Sequence, residues 1–298
     1  MTSTQSYDVA IVGLGVMGSA AAFELSRRGV GVVGFDRYAP PHAWGSSHGD
    51  TRIIREAYFE DPVYVPMVQR AFEGWRELEA LAGIPLLQRT GGVMIGVPGS
   101  ELVEGSRRSA EVHGLPFEML SADEIRARFP ALQPERGMVG VWEPHAGLLR
   151  AEACVEAQLE QARRHGADLR FDEAVLSWQA REDGISVVTD RGNCKASRLI
   201  ISAGPWVGSL LPAVPLPFSV ERQVLHWFEP ERDAELLAAD RCPVHLWQFD
   251  GERFFYGVPS SAAGVKLAFH HDGDTTTPEH VRREVAQAEL DDVRAAAR

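Results

Sequence analysis

Residues 13–18 read GLGVMG, between an apolar run at residues 7–12 and a helical pattern at residues 17–28. The apolar run predicts a buried strand, Gly29 ends the predicted helix, and residues 31–36 predict a second strand. A glycine-rich turn between a strand and a helix is the fingerprint of a dinucleotide-binding βαβ unit. The stretch therefore predicts a Rossmann-type domain at the N-terminus.

Each residue of this fingerprint has a separate physical task in holding a dinucleotide. Gly13 permits the tight turn, Gly15 lets the backbone approach the pyrophosphate, and Gly18 allows close packing of helix on strand. The free N–H groups and the positive dipole end of the helix favour the phosphates. Asp36 ends the second strand at the ~20-residue spacing at which an acid binds the ribose. A glycine-rich turn without a ligand is the alternative, but strand, glycines, helix and acid together favour a dinucleotide, either FAD or NAD.

The composition disfavours several classes of partner. The 298 residues are 45% hydrophobic and 24% charged, which is typical of folded globular proteins rather than of disordered chains. The formal net charge of -12 provides no basic surface for phosphate backbones or anionic lipids. We therefore expect a small-molecule partner, with no nucleic acid and no membrane.

The sequence shows no segment typical of membrane insertion, export or metal binding. Residues 9–23 form the longest apolar stretch, but it is short for a membrane span and is interrupted by glycines. Residues 1–7 carry no Lys or Arg, which a secretory signal would need, so we expect a cytoplasmic protein. Three cysteines fit neither a disulfide framework nor a metal site, and we expect them to be reduced: Cys154, Cys194 and Cys242.

A second segment carries a more specific signal than the glycine fingerprint. Residues 40–42 read PPH and residues 45–55 read GSSHGDTRIIR. This segment resembles the flavin-adjacent segment of the monomeric sarcosine oxidase and N-methyltryptophan oxidase family. The resemblance extends to AGPW at residues 203–206 and to residues 256–270. It implies that the protein binds FAD, oxidises a secondary amino acid at the carbon next to nitrogen, and reduces oxygen to hydrogen peroxide.

The resemblance also implies roles for individual residues of this chain. Arg55 matches the residue that clamps the substrate carboxylate, and Lys266 matches a lysine that promotes the reaction of the flavin with oxygen. The side chains implied to take part in catalysis are His48 and Arg52 beside the flavin ring, Lys266 over it, and Tyr256 and His270 in the substrate pocket. The cofactor-binding residues that it adds to the fingerprint are Thr51, Arg52, Val175 and Gly204.

The residue types suit these roles, although spacing alone leaves alternatives open. Arg52 and Arg55 are three apart, so a helical turn would place them on one face, where guanidinium groups could bind a carboxylate. A solvated helix start with surface ion pairs is the alternative. Lys266 and His270 share one face of the strand predicted at residues 265–271. Alternation alone favours an exposed face, whereas the resemblance predicts that Lys266 faces the flavin.

The order of predicted elements indicates an α/β fold with two domains, each built from separate parts of the chain. Residues 1–85 and 146–216 are assigned to a discontinuous Rossmann-type FAD-binding domain. Residues 86–145 and 217–298 are assigned to an α+β substrate domain built on an antiparallel sheet. Its last element is predicted to be a polar helix over residues 278–298.

Members of the resembled family continue beyond the length of this chain. Their C-terminal part supplies the cysteine that bonds covalently to the flavin, return strands for the FAD domain, and a second carboxylate-binding lysine. We therefore expect a monomeric fragment or truncated gene product that holds any flavin non-covalently. Four other functions stay open: a D-amino acid oxidase, an amine dehydrogenase, a nicotinamide-dependent dehydrogenase and an inactive remnant. Lys266 favours the oxidase, and residues 48–55 disfavour the nicotinamide enzyme.

Overall fold

The computed structural model describes residues 6–211, 214, 217–249, 251 and 253–297. Residues 1–5 and the domain boundary predicted at residue 216 lie outside these ranges. The helices are α1 (Val16–Ser26), α2 (Val65–Ala82), α3 (Glu101–His113), α4 (Ala122–Arg128), α5 (Ala151–Arg164), α6 (Val207–Leu210) and α7 (Gln287–Ala296). The strands are β1 (Ser6–Val12), β2 (Val32–Phe35), β3 (Thr51–Ile54), β4 (Leu87–Arg89), β5 (Gly92–Gly96), β6 (Glu118–Ser121), β7 (Val139–Glu143), β8 (Gly147–Arg150), β9 (Asp168–Arg170), β10 (Val175–Arg181), β11 (Gly184–Thr189), β12 (Asn193–Ile201), β13 (Val220–Glu221), β14 (His226–Phe228), β15 (Val244–Gln248), β16 (Phe254–Ser261), β17 (Gly264–His270) and β18 (Thr275–Thr276).

The fingerprint lies at the carboxyl end of β1 in a six-stranded sheet of order β10-β11-β12-β1-β2-β9. Strands β12, β1, β2 and β9 run parallel, and β10 and β11 form an antiparallel hairpin at one edge. Helices α1 and α5 pack together, and their apolar residues share a core with those of β1. The last four residues of β1 are all buried, which explains their continuous apolar pattern. The predicted α/β fold is confirmed.

A seven-stranded sheet has the order β14-β17-β16-β15-β5-β7-β6. Its neighbouring strands are antiparallel except β15 and β5, which run parallel. The sheet is therefore mixed rather than purely antiparallel, because β5 and β15 come from distant parts of the chain and no hairpin joins them. Residues 92–143 and 226–270 supply its strands. The domain boundaries themselves stay a prediction.

A three-stranded sheet of order β3-β8-β4 carries the segment with the two arginines. The helical turn that would place both arginines on one face is not formed, because Thr51–Ile54 forms strand β3 and pairs antiparallel with β8. The β-branched residues of this segment favour an extended backbone. In an extended segment residues three apart point to opposite faces, and accordingly Arg52 is exposed whereas Arg55 is buried.

The C-terminal helix is shorter than predicted. The prediction over residues 278–298 is wrong in its first part, because α7 begins at Gln287. The guanidinium of Arg222 donates hydrogen bonds to the carbonyl oxygens of Arg282 (2.5 Å) and Glu284 (2.9 Å). These carbonyl groups are bound by a side chain instead of by helical N–H groups, so the segment before α7 is irregular.

Within the described residues, no helix combines the length and the apolar character that a membrane crossing requires. The same residues contain no group of three or more His, Cys, Asp or Glu side chains placed to hold a metal ion. Cys154, Cys194 and Cys242 are buried free thiols. Burial raises the pKa of Cys154 and of Cys242 to about 12, so both thiols stay protonated at neutral pH.

Candidate functional site

A cleft of about 270 Å³ opens at the carboxyl ends of β1, β2 and β12. In open α/β sheets, ligands bind in the crevice at this end of the strands. The predicted cofactor-binding residues that line the cleft are Gly13, Gly15, Asp36, Val175 and Gly204. The cleft is therefore the candidate cofactor site.

The glycine-rich turn has the close backbone packing that a dinucleotide requires. Gly13 has a φ of +89°, and a Cβ added to it would lie 2.5 Å from the carbonyl oxygen of Ser202. A Cβ at Gly18 would lie 1.8 Å from the carbonyl oxygen of Gly13, so Gly18 serves the packing of α1 on the turn. A Cβ at Gly15 would lie 2.9 Å from Oγ of Ser47. The turn thus has no room for added side chains, and its backbone at Gly13 and Gly15 lines the cleft, which fits a pyrophosphate.

Asp36 is held at the end of β2 and lines the cleft. Its Oδ2 accepts a hydrogen bond from the N–H of Leu14 (2.8 Å), and its Oδ1 accepts one from the N–H of Tyr38 (3.0 Å). Nε2 of His42 lies 3.4 Å from the same Oδ1. A carboxylate has about four lone-pair sites, so Asp36 can also accept hydrogen bonds from ribose hydroxyls. Its geometry fits the predicted role.

Other residues of the cleft were not singled out from the sequence. Glu173 is buried, its N–H donates to the carbonyl oxygen of Asp36 (2.9 Å), and it accepts a hydrogen bond from Oγ1 of Thr189 (2.6 Å). Cζ of Arg37 lies 5.5 Å from the ring centroid of Trp206. The only sequence signal for Arg37 as a residue of the cleft was its position next to Asp36. Glu173 had none, because the sheet brings it to the cleft from a distant part of the chain.

One loop, residues 45–51, connects the cleft to the buried Lys266. Its first part lines the cleft. Its last part supplies the carbonyl oxygens of Gly49 and Thr51, which both accept hydrogen bonds from Nζ of Lys266, at 3.1 Å for Gly49. Lys266 is only 2% exposed, so the exposed face favoured by alternation is wrong: this loop and the neighbouring strands cover the side chain. Burial, and next the charge of Arg52, lower the pKa of Lys266 to about 8.

Arg52 holds the same loop through its carbonyl oxygens. Its guanidinium donates to the carbonyl oxygens of Ser46 (2.7 Å), His48 (2.7 Å) and Thr51 (2.8 Å). Burial, and then the charge of Arg52, lower the pKa of His48, so its imidazole is neutral at pH 7. Arg52 is therefore the fixed positive charge of the loop. Its contact with a cofactor, like those of His48 and Thr51, stays a prediction.

Tyr256 and His270 lie on the adjacent strands β16 and β17. Their rings form a T-shaped pair with centroids 6.5 Å apart. Burial raises the pKa of Tyr256, so its hydroxyl stays protonated at neutral pH and can donate a hydrogen bond. His270 is exposed at the end of β17, whereas Lys266 is buried four residues earlier. One strand thus leads from a buried ammonium to an accessible imidazole.

The guanidinium of Arg55 already has protein partners. It donates to both carboxylate oxygens of Glu60, at 2.9 and 3.0 Å, and to the carbonyl oxygen of Ala57 at 3.2 Å. Its Cζ lies 4.1 Å from the ring centroid of Tyr58. The two arginines that spacing alone could have placed in one pocket have separate partners, because Arg52 binds the loop and Arg55 binds Glu60. Binding of a substrate carboxylate by Arg55 stays a prediction.

A fully buried acid supports the segment that carries Arg55. Glu143 accepts hydrogen bonds from the N–H groups of Glu56 (2.5 Å) and Ala57 (2.9 Å). Burial raises the pKa of its carboxyl group, and the two N–H donors oppose that rise. The sequence did not reveal Glu143, since an acid at a strand end is normally exposed.

The sequence and its comparisons with known proteins agree on the class of cofactor. Residues 8–298 match the family described as FAD dependent oxidoreductase. The chain is 43% identical over 288 residues to monomeric sarcosine oxidase of Streptomyces avermitilis, an alignment that covers 96% of this chain and 75% of that protein. It is 34% identical over 267 residues to N-methyl-L-tryptophan oxidase of Yersinia pestis, with 90% of this chain and 71% of that protein covered.

Solved structures share the fold at lower sequence identity. NikD, described as an unusual amino acid oxidase essential for nikkomycin biosynthesis, matches with a TM-score of 0.78 and 22% identity over 98% of this chain and 77% of its own. Glycine oxidase from Geobacillus kaustophilus matches with a TM-score of 0.76 and 22% identity over 99% of this chain and 78% of its own. At this level of identity the likeness concerns the fold.

Proposed function

Because the chain belongs to the FAD-dependent oxidoreductase family, we propose that it oxidises a secondary amino acid of the sarcosine or N-methyl amino acid class. One observation carries this proposal: the loop of residues 45–51 lines the cofactor cleft at one end and binds the buried Lys266 ammonium at the other. The hydrogen bonds of Lys266 go to carbonyl oxygens, so its charge is not neutralised by direct pairing. A preorganised cation next to a flavin site suits the chemistry of an oxidase.

The cleft offers each part of FAD a matching group. The backbone of the Gly13 turn would hold the pyrophosphate and Asp36 the ribose, while Val175 and Gly204 would line the cofactor. Gly18 contributes indirectly by allowing α1 to pack on the turn. Bound FAD supplies a two-electron acceptor for the hydride equivalent from the carbon next to the substrate nitrogen. The resulting imine hydrolyses in water.

Arg55 would bind the substrate carboxylate. Exchange of the Glu60 carboxylate for that of the substrate keeps the buried guanidinium paired throughout, which avoids an unpaired buried charge. Tyr256 and His270 would orient the amine, because a protonated phenol can donate a hydrogen bond and an exposed imidazole can accept one. His48, neutral at pH 7, would add no charge beside the ring.

Lys266 would act in the reaction with oxygen and would make the protein an oxidase rather than a dehydrogenase. Electron transfer to oxygen creates negative charge, and a fixed ammonium stabilises that charge where water is scarce. The expected final product is hydrogen peroxide. Lys266→Met keeps the length of the side chain but removes the charge. It should slow reoxidation of the reduced protein by orders of magnitude and change its reduction by the amine far less.

Anaerobic titration of the purified protein tests the substrate class. Sarcosine or N-methyl-L-tryptophan should bleach the flavin absorbance, and oxygen should restore the absorbance with formation of hydrogen peroxide. Bleaching by primary D-amino acids alone would favour a D-amino acid oxidase. Recovery with an artificial electron acceptor but not with oxygen would favour an amine dehydrogenase. Absence of bleaching by every amine, in a protein with full flavin content, would refute the proposed oxidation.

A further inference from the structure

The turn at Gly49, Asp50 and Thr51 is bound from two sides by charged side chains. On one side Glu152, in the first turn of α5, accepts hydrogen bonds through Oε1 from the N–H groups of Gly49 (2.7 Å) and Asp50 (3.3 Å). On the other side Lys266 donates to the carbonyl oxygens of Gly49 (3.1 Å) and Thr51. A single turn of backbone therefore separates a carboxylate from the ammonium proposed to act on oxygen.

The backbone of this turn needs support from outside. Gly49 has a φ of +103° and Asp50 a φ of +68°. A residue with a side chain adopts such a φ at a conformational cost and keeps it only where other contacts hold it. The N–H of Ala151, next to Glu152, donates to the carbonyl oxygen of Asp50 (2.9 Å). The start of α5 thus fixes the shape of the turn from behind.

We infer that Glu152 is a positioning residue that acts on Lys266 through this turn. Its carboxylate fixes the N–H side of the turn and thereby orients the carbonyl oxygens that bind Nζ. It also places a negative charge behind the turn, opposite the ammonium. The inference rests on the proposed function, because the position of Lys266 affects the reaction only if Lys266 acts on oxygen.

The charged groups around Lys266 have opposite effects on its pKa. Burial, and then the charge of Arg52, lower its pKa to about 8, whereas Asp50 and Glu152 favour its charged form. The residues paired with it across β14 and β16 are an uncharged tryptophan and valine. Glu152 is thus one of two acids that help to keep the ammonium charged at neutral pH.

Removal of the Glu152 charge should lower the pKa of Lys266 by a measurable amount. Two hydrogen bonds in series across one residue place the carboxylate on the order of 7 Å from Nζ. In surroundings with an effective dielectric constant of ~20, loss of a charge at that distance lowers the pKa of the ammonium by about 1.7 units. At pH 8 the protonated fraction of Lys266 would then fall from about one half to about one fiftieth.

The pKa of Lys266 can be measured directly because the chain contains only two lysines, Lys195 and Lys266. Flavin-loaded protein labelled with ¹³C at lysine Cε should give two NMR signals, which Lys195→Arg assigns. Lys195 lies exposed on β12 and pairs with Asp183 (2.7 Å). Its signal serves in each sample as a reference for an intact fold, independent of any enzymatic activity.

Three substitutions at Glu152 separate its charge from its hydrogen bonds. Glu152→Gln keeps an oxygen that can accept from Gly49 but removes the charge, Glu152→Asp keeps the charge, and Glu152→Ala removes both. Glu160→Gln is the matched control, since it removes an exposed acid two turns further along α5. Glu152→Gln and Glu152→Ala should lower the pKa of Lys266 by about 1.7 units, whereas Glu152→Asp and Glu160→Gln should lower it by less than ~0.3 unit. An unchanged pKa in whichever charge-removing variant folds would overturn the inference.

The oxygen reaction distinguishes failure of this inference from failure of the proposed function. An unaltered reoxidation rate in Lys266→Met would refute the role of Lys266 on oxygen, whatever the NMR titration shows. A slowed rate in Lys266→Met, together with an unchanged pKa of Lys266 in the Glu152 variants, would refute the positioning role alone. Slowed reoxidation in both Lys266→Met and Glu152→Gln, with the latter deficit increasing as pH rises from 7 to 8, would support both.

Discussion

Replacement of Lys266 by methionine should remove a pH dependence from the stability of the protein. Lys266 is buried, and burial lowers its pKa from an ordinary value of 10.5 to about 8. The two carbonyl oxygens that it binds keep other donors in the variant. The N–H of Thr51 reaches the oxygen of Gly49 (2.7 Å), and the guanidinium of Arg52 reaches the oxygen of Thr51 (2.8 Å). The substitution therefore removes a charge without leaving these carbonyl groups unpaired.

The sign and size of the effect follow from the two pKa values of Lys266. Between about pH 8 and 10.5 the unfolded chain still binds the proton that the native protein has released, so this lysine makes stability rise with pH. Below pH 8 both states carry the charge, and the native state bears the full cost of its burial. Since each pKa unit corresponds to ~1.4 kcal/mol, the wild-type protein should gain about 3 kcal/mol over this window relative to Lys266→Met.

Urea denaturation at fixed pH values from 7 to 11, followed by tryptophan fluorescence, measures this difference. Tyrosines and cysteines also titrate in this range, but they contribute equally to both proteins and cancel in the comparison. Lys195→Met is the matched control for loss of a lysine from the exposed surface. If the difference in unfolding free energy between the wild-type protein and Lys266→Met stays constant from pH 7 to 11, the lowered pKa of Lys266 is refuted.

Arg55→Ala should weaken amino-acid substrates by about tenfold to a hundredfold, since a hydrogen bond to a charged group contributes ~1.5 to 3 kcal/mol. An equal rise in KM for an amine without a carboxylate would exclude carboxylate binding by Arg55. Glu60→Gln should tighten the same substrates, because it weakens the internal competitor for that guanidinium. Gly13→Ala should abolish flavin binding, which the flavin content of the purified protein measures, because the added Cβ would lie 2.5 Å from a carbonyl oxygen. Gly74→Ala is its control in α2, where an added Cβ meets no atom within 4 Å. It should raise the free energy of unfolding, measured by urea denaturation, by ~0.5 to 1 kcal/mol. Flavin held by residues 1–298 should be released by acid precipitation, because the cysteines are buried and the described lining of the cleft includes none of them. Flavin that stays with the denatured protein would instead identify a cysteine as its attachment site.

The elements that the sequence predicted well are those whose signals are local. The GLGVMG turn, the strand before it and the helix after it are encoded within about 30 residues, so periodicity and glycine positions were sufficient. Asp36 lies at the end of β2 for the same reason. The hairpin of β10 and β11 has the same local character, because its Asp-Gly turn joins two strands that are adjacent in the sequence.

Contacts between distant parts of the chain determine the features of the fold and of the site that local sequence patterns did not predict. The spacing of Arg52 and Arg55 is compatible with a helix, but pairing with β8 makes the segment a strand. Alternation placed Lys266 on an exposed face, but loop 45–51 covers it. The helix predicted at residues 278–298 begins only at Gln287, because Arg222 donates hydrogen bonds to the carbonyl groups of the segment before it. In each case the deciding contact joins segments that are far apart in the sequence.

Glu143 and Glu152 have a common arrangement that no local pattern reveals. Each accepts hydrogen bonds from two successive backbone N–H groups, Glu143 behind the segment of Arg55 and Glu152 behind the turn that binds Lys266. A carboxylate can satisfy both donors at once, because it has about four acceptor sites. An acid that contacts the backbone in this way supports the segment that carries a cation without occupying the donors of that cation. The ammonium of Lys266 thus binds carbonyl oxygens rather than a carboxylate, and the guanidinium of Arg55 has Glu60 as its acidic partner.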